Sequence, residues 1–535
     1  MTRQTRAEGA GDVPAAASSG PIPHRGPTPA GRRALAGGLV MALAALTLLL
    51  AASVALADVT FSGPELLGRP TASSVTLNVV PDAAIDGYVQ YGTSATGYSK
   101  RTTTVTSPAL APLEISLKGL KADTRYYYRL RYRLHGATTF SARPQHSFFT
   151  RRAAGSTFVF EIQGDSHPER VNKQFDAALY TQMLSSVAAD RPDFYLTSGD
   201  DFSVDTLKTV NAQTVAERYT IQRPYLSLVG SSSPVFLVNG NHEQASQANL
   251  DGTADNVAVW AQNARNAYFP QPAPDGFYTG DSVTVPFIGL LRDYYAWTWG
   301  DALFVVIDPY WHSPVAVDNA FGGGSKNTDK WQITLGDAQY AWLQKTLESS
   351  QAKYKFVFAH QVLGTGRGGI ELAGLFEWGG QNAKGVDEFA AKRPGWELPI
   401  HQLMAANDVT VFFHGHDHLF ARQQLDGVVY QELPSPADPN YADTNAQAYK
   451  SGDVLPSSGR VRVTVSPQKV LVEYVRSYLP NDATAAHPDG EIAFSYEIMA
   501  SRAVSKQWPE GQAAPSRGTP PPCSDGAAGP SPTGS

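Results

Sequence analysis

The sequence predicts an α/β fold in which a layered domain of strands and helices follows an all-β sandwich. From residue 58 to residue 152 the apolar residues alternate as they do in half-buried strands, and turn residues separate the runs. From Ser156 onward, apolar strands alternate with amphipathic helical stretches, the pattern of a layered α/β domain. The chain has 535 residues, which is more than one hydrophobic core usually organises. We therefore expect two folded domains with additional terminal segments.

Composition and charge limit the classes of partner. Hydrophobic residues make up 42% of the chain and charged residues 17%, which suits packed cores. The formal net charge is −6, and no dense run of Lys and Arg is present. Binding to a nucleic acid duplex depends on such basic runs, because they neutralise phosphates. No nucleic acid duplex is therefore expected as a partner.

Residues 1–57 have the features of an export signal or a membrane anchor. An arginine pair, Arg32 and Arg33, precedes an uncharged stretch from Ala34 to Ala57. Small residues at its end suit cleavage before Asp58. The stretch is also long enough to span a bilayer if it stays uncleaved, and only then would the membrane be a partner. Either way we expect an exported protein that is extracellular, periplasmic or attached to the cell surface.

The C-terminal segment, residues 501–535, is rich in Pro, Gly and Ser and is expected to be disordered. It contains Cys523, the only cysteine of the chain. An internal disulfide is therefore impossible. Stability has to come from burial and, where ions are bound to the native state, from metal.

Residues 58–152 are predicted to form an immunoglobulin-like sandwich. Val75, Leu77 and Val79 alternate as in a strand, and Thr124 and Tyr126 have the spacing of a tyrosine corner. The segment resembles a fibronectin type III module. A spacer or packing domain is the simpler role for it, and binding of carbohydrate or cell-wall polymer is the alternative.

Polar side chains follow three successive predicted strands of residues 153–500. The stretches "TFVFEIQGDSH", "DFYLTSGDD" and "PVFLVNGNHE" deliver Asp165 and His167, then Asp200, then Asn241 and His242. In open α/β sheets, ligands bind at the carboxyl ends of the strands. These side chains are therefore expected to lie around one pocket.

Two later strands add histidines. "YKFVFAH" ends in His360, and "VTVFFHGHDH" ends in His416 and His418. Two histidines separated by one residue can face different atoms, so this Gly-His-x-His segment could bind two adjacent metal ions. Imidazole suits Zn, Mn or Fe, and an aspartate can bridge two such ions. His414 is expected to pack or to support the ligands.

Two further expectations concern the rest of the layered domain. His312 and His401 lie outside these motifs and are expected to be structural. The alternating strands of residues 459–475 are expected to complete a second sheet stacked against the first.

The ordered set "GDSH", "GDD", "GNHE", "AHQ" and "HGHDH" closely resembles that of the calcineurin-like metallophosphoesterases, across about Ser156 to Ser477. The resemblance implies a four-layer α/β/β/α metallophosphoesterase domain. It also implies two divalent or trivalent metal ions, Fe, Zn or Mn. The first metal would be held by Asp165, His167, Asp200 and His418, and the second by Asp200, Asn241, His360 and His416.

A fibronectin-like module before such a domain also resembles the purple acid phosphatases, with one difference. Those enzymes have a tyrosine ligand three residues after the bridging aspartate, and here that position is Ser203. His167 would supply the missing ligand. A tyrosinate-to-iron absorption band is then not expected.

The function that follows is a secreted phosphoesterase in which a metal-bridging hydroxide attacks a phosphate ester. His242 would be the catalytic residue, either protonating the leaving group or binding phosphate, with Glu243 or Asp201 orienting it. The residues leave open a phosphomonoesterase, a phosphodiesterase or a nucleotidase. The alternative from another class is a non-catalytic cell-surface or wall-binding module.

Overall fold

The computed structural model describes residues 59–318, 329–363 and 366–500. The predicted export segment, residues 1–57, and the tail with Cys523 lie outside the described residues. Within the described ranges, no helix is both long and apolar enough to cross a bilayer.

The N-terminal part is a sandwich of two antiparallel sheets. The smaller sheet has the strand order β1-β2-β6, and the larger has β4-β3-β7-β8, with β5 paired to β3 and β9 to β7. In β6, Leu113, Ile115 and Leu117 are buried while the residues between them are exposed, as the two-residue period of a strand requires. The strands are β1 (Leu66–Gly68), β2 (Ser74–Val79), β3 (Ile85–Gly92), β4 (Lys100–Arg101), β5 (Val105–Ser107), β6 (Leu113–Lys118), β7 (Arg125–Leu134), β8 (Ser141–Ala142) and β9 (His146–Phe149).

A tyrosine closes one end of this sandwich. Tyr126 is buried at the start of β7, and its hydroxyl accepts a hydrogen bond from the backbone N–H of Lys121 at 3.0 Å. This is the contact that the spacing of Thr124 and Tyr126 predicts for a tyrosine corner.

The first half of the layered domain alternates strands with helices. β10, β11 and β12 are parallel, so their carboxyl ends lie at the same edge. The first helix is capped by Asp176, whose carboxylate accepts hydrogen bonds from two backbone N–H groups of the first turn. The elements are β10 (Phe158–Gln163), α1 (Ala177–Asp190), β11 (Phe194–Thr197), α2 (Ala212–Ile221), α3 (Arg223–Gly230), β12 (Val235–Leu237) and α4 (Val257–Tyr268).

The second half forms an eight-stranded sheet of order β13-β16-β17-β18-β19-β21-β20-β22, in which β17, β18, β19 and β21 are parallel. A small hairpin of β14 and β15 stands apart from it. The elements are β13 (Thr279–Gly280), β14 (Thr284–Val285), β15 (Gly289–Leu290), β16 (Tyr295–Trp299), β17 (Ala302–Val306), α5 (Gly336–Ser349), β18 (Tyr354–Phe358), α6 (Phe376–Gly379), α7 (Phe389–Lys392), α8 (Ile400–Ala406), β19 (Val411–His414), β20 (Phe420–Leu425), β21 (Val428–Glu432) and β22 (Asp453–Leu455).

The last three strands belong to the first sheet, so the prediction that residues 459–475 complete the second sheet is wrong. They are β23 (Gly459–Val465), β24 (Lys469–Arg476) and β25 (Ile492–Met499). β23 pairs antiparallel with β10, and the first sheet has the order β12-β11-β10-β23-β24-β25. The physical reason is that β10 would otherwise have an unpaired edge, and the backbone of β23 pairs with it, whereas the second sheet is built entirely from residues 279–455.

Three buried clusters define four layers, α/β/β/α. Helices α1 to α4 pack on the outer face of the first sheet, and α5 to α8 pack on the outer face of the second. The inner faces meet in an aromatic core that includes Phe160, Phe304 and Phe356. Neighbouring residues of one strand therefore serve different layers: Phe304 lies between the sheets, whereas Leu303 and Val305 face the helices.

Candidate metal centre

All eight predicted site residues lie just beyond the carboxyl ends of five parallel strands, β10, β11 and β12 in one sheet and β18 and β19 in the other. The two sheets are stacked, so these ends adjoin across the aromatic core. The residues come from segments that are far apart in the chain. Only the packed double sheet brings them together.

One group of ligand atoms lies around Asp165. Its Oδ2 is 3.0 Å from His418 Nε2 and 3.9 Å from His167 Nε2. The donor atoms of these three residues all lie within 4.8 Å of one another, a separation at which they could hold one ion.

A second group lies beside the first. Asp200 Oδ2 is 3.2 Å from His360 Nε2, and His360 Nε2 is 3.0 Å from Asn241 Oδ1. Donor atoms of Asp165, Asp200, His360 and His416 again lie within 4.8 Å of one another. Asp165 and Asp200 thus lie between two pairs of histidines. One pair is His167 and His418, and the other is His360 and His416.

The hydrogen bonding of these groups fits bound cations. His167 Nε2 is buried and makes no hydrogen bond with another described residue. Asp165 Oδ2 and His416 Nε2 are also buried, and their close polar contacts are with His418 Nε2 at 3.0 Å and Asp318 Oδ2 at 3.1 Å. Buried polar atoms are normally hydrogen-bonded, and leaving one without a partner costs about 1–3 kcal/mol. Atoms that are metal donors by type and lack other partners are those expected of ligands.

Glycines allow the ligand turns to approach closely. A Cβ added at Gly240 would lie 2.3 Å from Asp200 Oδ1, and one added at Gly415 would lie 2.7 Å from Asp165 Oδ1. Both distances are far shorter than a van der Waals contact. Only glycine therefore fits at positions 240 and 415, because a side chain there would collide with Asp200 or Asp165.

Four of the candidate ligands have a left-handed backbone. The φ angles are +45° at His167, +57° at Asp200, +82° at His416 and +61° at His418. Such angles are uncommon for residues other than glycine and cluster at functional sites. In the Gly-His-x-His segment they turn His418 toward Asp165 and His416 toward His360, as the sequence predicts for this motif.

Neighbouring groups fix the orientation of the rings. His360 Nδ1 lies 2.9 Å from the carbonyl oxygen of Ser198, to which it donates, so that its Nε2 faces the carboxylates. His167 Nδ1 lies 2.8 Å from the hydroxyl of Ser203. Ser203, at the position where the resemblance to purple acid phosphatases would place a tyrosine, therefore contacts His167.

His414 supports the segment from outside the metal groups. Its Nδ1 lies 2.6 Å from Glu432 Oε2, and the other oxygen of Glu432 accepts a hydrogen bond from the backbone N–H of Asp417. Burial lowers the pKa of His414 to about 3 and raises the pKa of Glu432 well above its usual value. The pair is therefore neutral and holds the turn between His416 and His418.

The charges of the site favour cations. Burial by itself raises the pKa of Asp165 and Asp200, but neighbouring histidines outweigh it and hold both pKa values well below the usual range. Burial likewise lowers the pKa of His360, but Asp200 and Asp165 outweigh it and raise this pKa to about 10. Burial lowers the pKa of His167 to about 4, so this ring is neutral, the form that binds metal.

His242 lies beside the metal groups and is held by an aspartate that the sequence did not point to. Its Nδ1 is 2.7 Å from Asp205 Oδ2, and its Nε2 is 3.8 Å from Asp200 Oδ2. Burial lowers the pKa of His242, but Asp200 and Asp205 outweigh it and raise the pKa to about 9. Arg170 Nη2 lies 3.2 Å from the same Nε2. The ring therefore presents Nε2 toward the site.

Neither acid that the sequence suggested as the partner of His242 orients it. Glu243 accepts hydrogen bonds from the backbone N–H groups of Asp201 and Gly240, and so ties together the turns after β11 and β12. Asp201 accepts a hydrogen bond from Ser166, and burial raises its pKa to about 7. Both acids are fully buried beneath the ligand turns.

Asp205 and Asp318 are the functional candidates that the sequence reasoning missed. Asp318 Oδ2 lies 3.1 Å from His416 Nε2, and the backbone oxygen of Asp318 accepts a hydrogen bond from Asn241 Nδ2. Asp205 lies in a short 3₁₀ helix, Val204–Thr206, and Asp318 lies in an irregular segment, so no strand-end motif marked them.

Residues 162–420 match the family model of the calcineurin-like phosphoesterases. The chain is similar in structure to PhoD, with 16% identity over 84% of this chain and 93% of that one, and a TM-score of 0.57. It is also similar to the purple acid phosphatase PPD1 from yellow lupin (Lupinus luteus) seeds, with 16% identity over 81% of this chain and 74% of that one, and a TM-score of 0.53. At these identities the structural likeness concerns the fold. No curated protein matches the chain in sequence. The match over residues 162–420 and the shared fold together support a metal-dependent phosphoesterase.

Proposed function

We propose that this protein is an exported phosphoesterase that hydrolyses phosphate esters at a dinuclear metal centre. The observation that carries the proposal is the convergence of two buried carboxylates with four histidines whose donor atoms face them. In this proposal the first ion binds Asp165, His167, Asp200 and His418, and the second binds Asp200, Asn241, His360 and His416.

When bound, two such ions would supply positive charge and lower the pKa of a coordinated water, so that hydroxide exists near neutral pH. The chain holds the ligands for this role. Asn241 adds a neutral amide oxygen rather than a third carboxylate, so less of the ions' positive charge is cancelled. What remains attracts a phosphate ester and stabilises its oxygens in the transition state.

His242 acts on the substrate side in this proposal. Asp205 accepts the hydrogen bond from Nδ1 at 2.7 Å, which leaves Nε2 facing the same side as Arg170. From there Nε2 can give a proton to the leaving oxygen or bind a phosphate oxygen. Arg170, at 3.2 Å from that nitrogen, would lie near the same phosphate.

The proposed ligand set excludes a tyrosinate. Ser203 occupies the corresponding position and contacts His167 Nδ1 at 2.8 Å. Even iron-loaded protein should therefore lack the strong visible band of a tyrosinate-to-iron complex.

The remaining parts of the chain are assigned as follows. Residues 1–57 are a signal or an anchor, 58–152 a fibronectin type III-like sandwich, 153–500 the catalytic domain and 501–535 a disordered tail. The tyrosine corner at Tyr126 supports the assignment of the sandwich. Export would place the enzyme outside the cytoplasm.

The test is metal content together with substrate preference. Purified protein should contain about two ions at the proposed centre, and chelators should abolish activity. Hydrolysis of nitrophenyl phosphate indicates a monoesterase, and hydrolysis of bis-nitrophenyl phosphate indicates a diesterase. Full activity with less than one ion per chain would contradict the dinuclear proposal.

A further inference from the structure

A second group of metal-binding side chains lies at the base of the β14–β15 hairpin. Asp281 precedes the hairpin, Asp293 follows it, and His312 comes from the loop after β17. Their donor atoms all lie within 4.8 Å of one another. None of the three belongs to the residues around Asp165 and Asp200.

The two carboxylates are buried, and one oxygen of each lacks a hydrogen-bond partner among the described residues. Asp281 and Asp293 are 2% and 0% exposed. Asp281 Oδ1 accepts a hydrogen bond from the backbone N–H of Val283, and Asp293 Oδ2 lies 2.9 Å from His312 Nε2. The other oxygen of each carboxylate is buried and makes no hydrogen bond with a described residue.

The charges of the cluster are unbalanced as well. In the part of the chain that the structure describes, His312 is the only basic residue that pairs with either carboxylate. A third acid, Asp308, lies near them but is already used, because its carboxylate accepts hydrogen bonds from Asn239 and from the backbone N–H of Tyr310. Burying an uncompensated carboxylate is costly, so the cluster calls for a positive charge.

We propose that Asp281, Asp293 and His312 bind a third divalent cation, separate from the catalytic pair. Two carboxylate oxygens and an imidazole suit an ion such as Zn²⁺ or Mn²⁺. They are too few and too nitrogen-rich for Ca²⁺, which takes six to eight oxygens. Small movements would bring the three donors to the spacing of about 3.5 Å that bonds of about 2.1 Å require.

This ion fastens the hairpin to the edge of the catalytic centre. Val283 and Phe287 are 59% and 57% exposed, whereas Val285 and Ile288 pack against the buried cluster that includes α4. The loop that provides His312 also carries Asp318, which lies 3.1 Å from His416 Nε2. The role of the ion is therefore structural, with an effect on how this loop approaches the site.

The alternative is a proton in place of the cation. Burial, followed by the charge of Asp293, raises the pKa of Asp281 to about 6, and the pKa of His312 is raised by Asp293 against the opposing effect of burial. A charged His312 and a proton shared by the two aspartates would then balance the cluster without metal.

The number of metal ions per chain distinguishes a bound cation from a bound proton at this cluster. Full-length protein without a histidine tag is stripped with a chelator, reloaded with ZnCl₂ or MnCl₂, dialysed and analysed for metal per chain. Asp293→Asn and His312→Gln should each bind one ion fewer than the unmodified protein. His401→Gln is the matched control, because His401 is also buried against a carboxylate, that of Asp426, and lies outside the cluster.

Two further measurements make the outcome decisive. Asp200→Asn disrupts the catalytic pair, so one ion, the one at Asp281, Asp293 and His312, should remain bound. Adding His312→Gln to this variant should remove that ion, whatever the effect on activity. Anomalous scattering from crystals of the unmodified, zinc-loaded protein should show a peak between Asp281, Asp293 and His312 even if a variant fails to fold. An equal metal count in the unmodified protein and both cluster variants, or no peak there, would overturn the third site.

Discussion

The contact between His242 and Asp205 separates two roles that metal-site histidines can have. His418 and His360 face the carboxylates directly, whereas His242 has its Nδ1 on Asp205 and its Nε2 toward the substrate side. Loss of a ligand should remove metal. Loss of His242 or Asp205 should instead impair a step that follows metal binding.

We predict that His418→Ala lowers both metal content and rate, whereas His242→Ala keeps the metals and lowers only the rate. A general acid contributes about 10²- to 10⁴-fold when the leaving group is poor, so kcat/KM should fall most for alkyl phosphates. Asp205→Asn should show the same substrate pattern with a smaller effect, because Asp205 acts through His242. Metal analysis and kcat/KM on alkyl and nitrophenyl phosphates are the measurements.

Equal losses on both substrates with metals retained would show that His242 binds phosphate rather than donating a proton. Loss of metal from His242→Ala would instead make it a ligand, a role that its distance of 3.8 Å from Asp200 Oδ2 leaves geometrically accessible.

Gly415 provides a test of how tightly the ligands are packed. A methyl group there would lie 2.4 Å from Ser198 Oγ and 2.7 Å from Asp165 Oδ1. Gly415→Ala should therefore displace Asp165, reduce the metal content and destabilise the fold by about 1–3 kcal/mol. Gly97→Ala is the control, since nothing lies within 4 Å of its Cβ position and its φ is not left-handed. Unchanged metal content in Gly415→Ala would mean that the turn adapts.

At the scale of elements, the strands that precede the candidate ligands could be predicted from the sequence. The assignment of the last strands to a sheet could not. Asp165, Asp200 and Asn241 follow short apolar runs, and the pattern of a strand ending in polar residues depends only on local sequence. The pairing of β23 with β10 depends on which edge remains open after the other strands have assembled. Alternation along β23 indicates a strand but does not specify its partner.

The same limit applies to the site. Asp205 approaches His242 from a short 3₁₀ helix, and Asp318 approaches His416 from an irregular segment. The surrounding packing sets the course of both segments. The pair Asp281 and Asp293 is joined by a hairpin, but nothing local predicts that His312 meets it. Contacts between loops therefore had to come from the structure.

Within the sandwich, Asp86 of β3 links two strands in a pH-dependent way. Its carboxylate contacts His135 Nδ1 at 2.9 Å and accepts hydrogen bonds from Thr106 and Arg133. The hydrogen bond with His135 is the largest of the effects that lower its pKa from 3.8 to about 2. The folded form therefore holds the proton less tightly than the unfolded chain does.

It follows that Asp86 stabilises the sandwich fully above pH 3.8 and loses this contribution as the pH falls through about 2. Asp86→Asn should reduce the hydrogen-exchange protection of β3 and β7 at neutral pH, with the difference from the unmodified protein shrinking as the pH falls through that range. Mass spectrometry of exchanged peptides measures this. A difference that stays constant down to the lowest pH would refute the charge as its cause.

Across the whole molecule, the sandwich is joined to the catalytic domain by buried polar contacts. Arg223 of α3 is fully buried and donates hydrogen bonds to the carbonyl oxygens of Asn78 in β2 and Tyr268 in α4. Tyr128 of β7 donates to the carbonyl oxygen of Ser231 at 2.7 Å. These contacts favour a packing role for the sandwich.

We predict that Arg223→Met lowers the stability of the full chain by about 2–4 kcal/mol, because it removes charged hydrogen bonds and leaves carbonyl oxygens buried without donors. Arg129→Met, at a partly exposed arginine of the sandwich that binds Gln90, should change stability by less than about 0.5 kcal/mol. Denaturant unfolding of both variants measures the difference. Equal stabilities would mean that the two domains are only loosely joined.

The position of β10 has a consequence for the order in which the enzyme is made. Phe160 of β10, the strand that leads to Asp165, lies opposite Val463 of β23, some three hundred positions further along the chain. Ribosomes add about 5–20 residues per second, so β10 waits about 15–60 seconds for this neighbour. All the candidate ligands have been synthesised before β23, which pairs with the first sheet, the one that carries Asp165, Asp200 and Asn241. We therefore expect the candidate metal centre to become ordered only in a nearly finished chain, and to acquire ions in whichever compartment that chain folds.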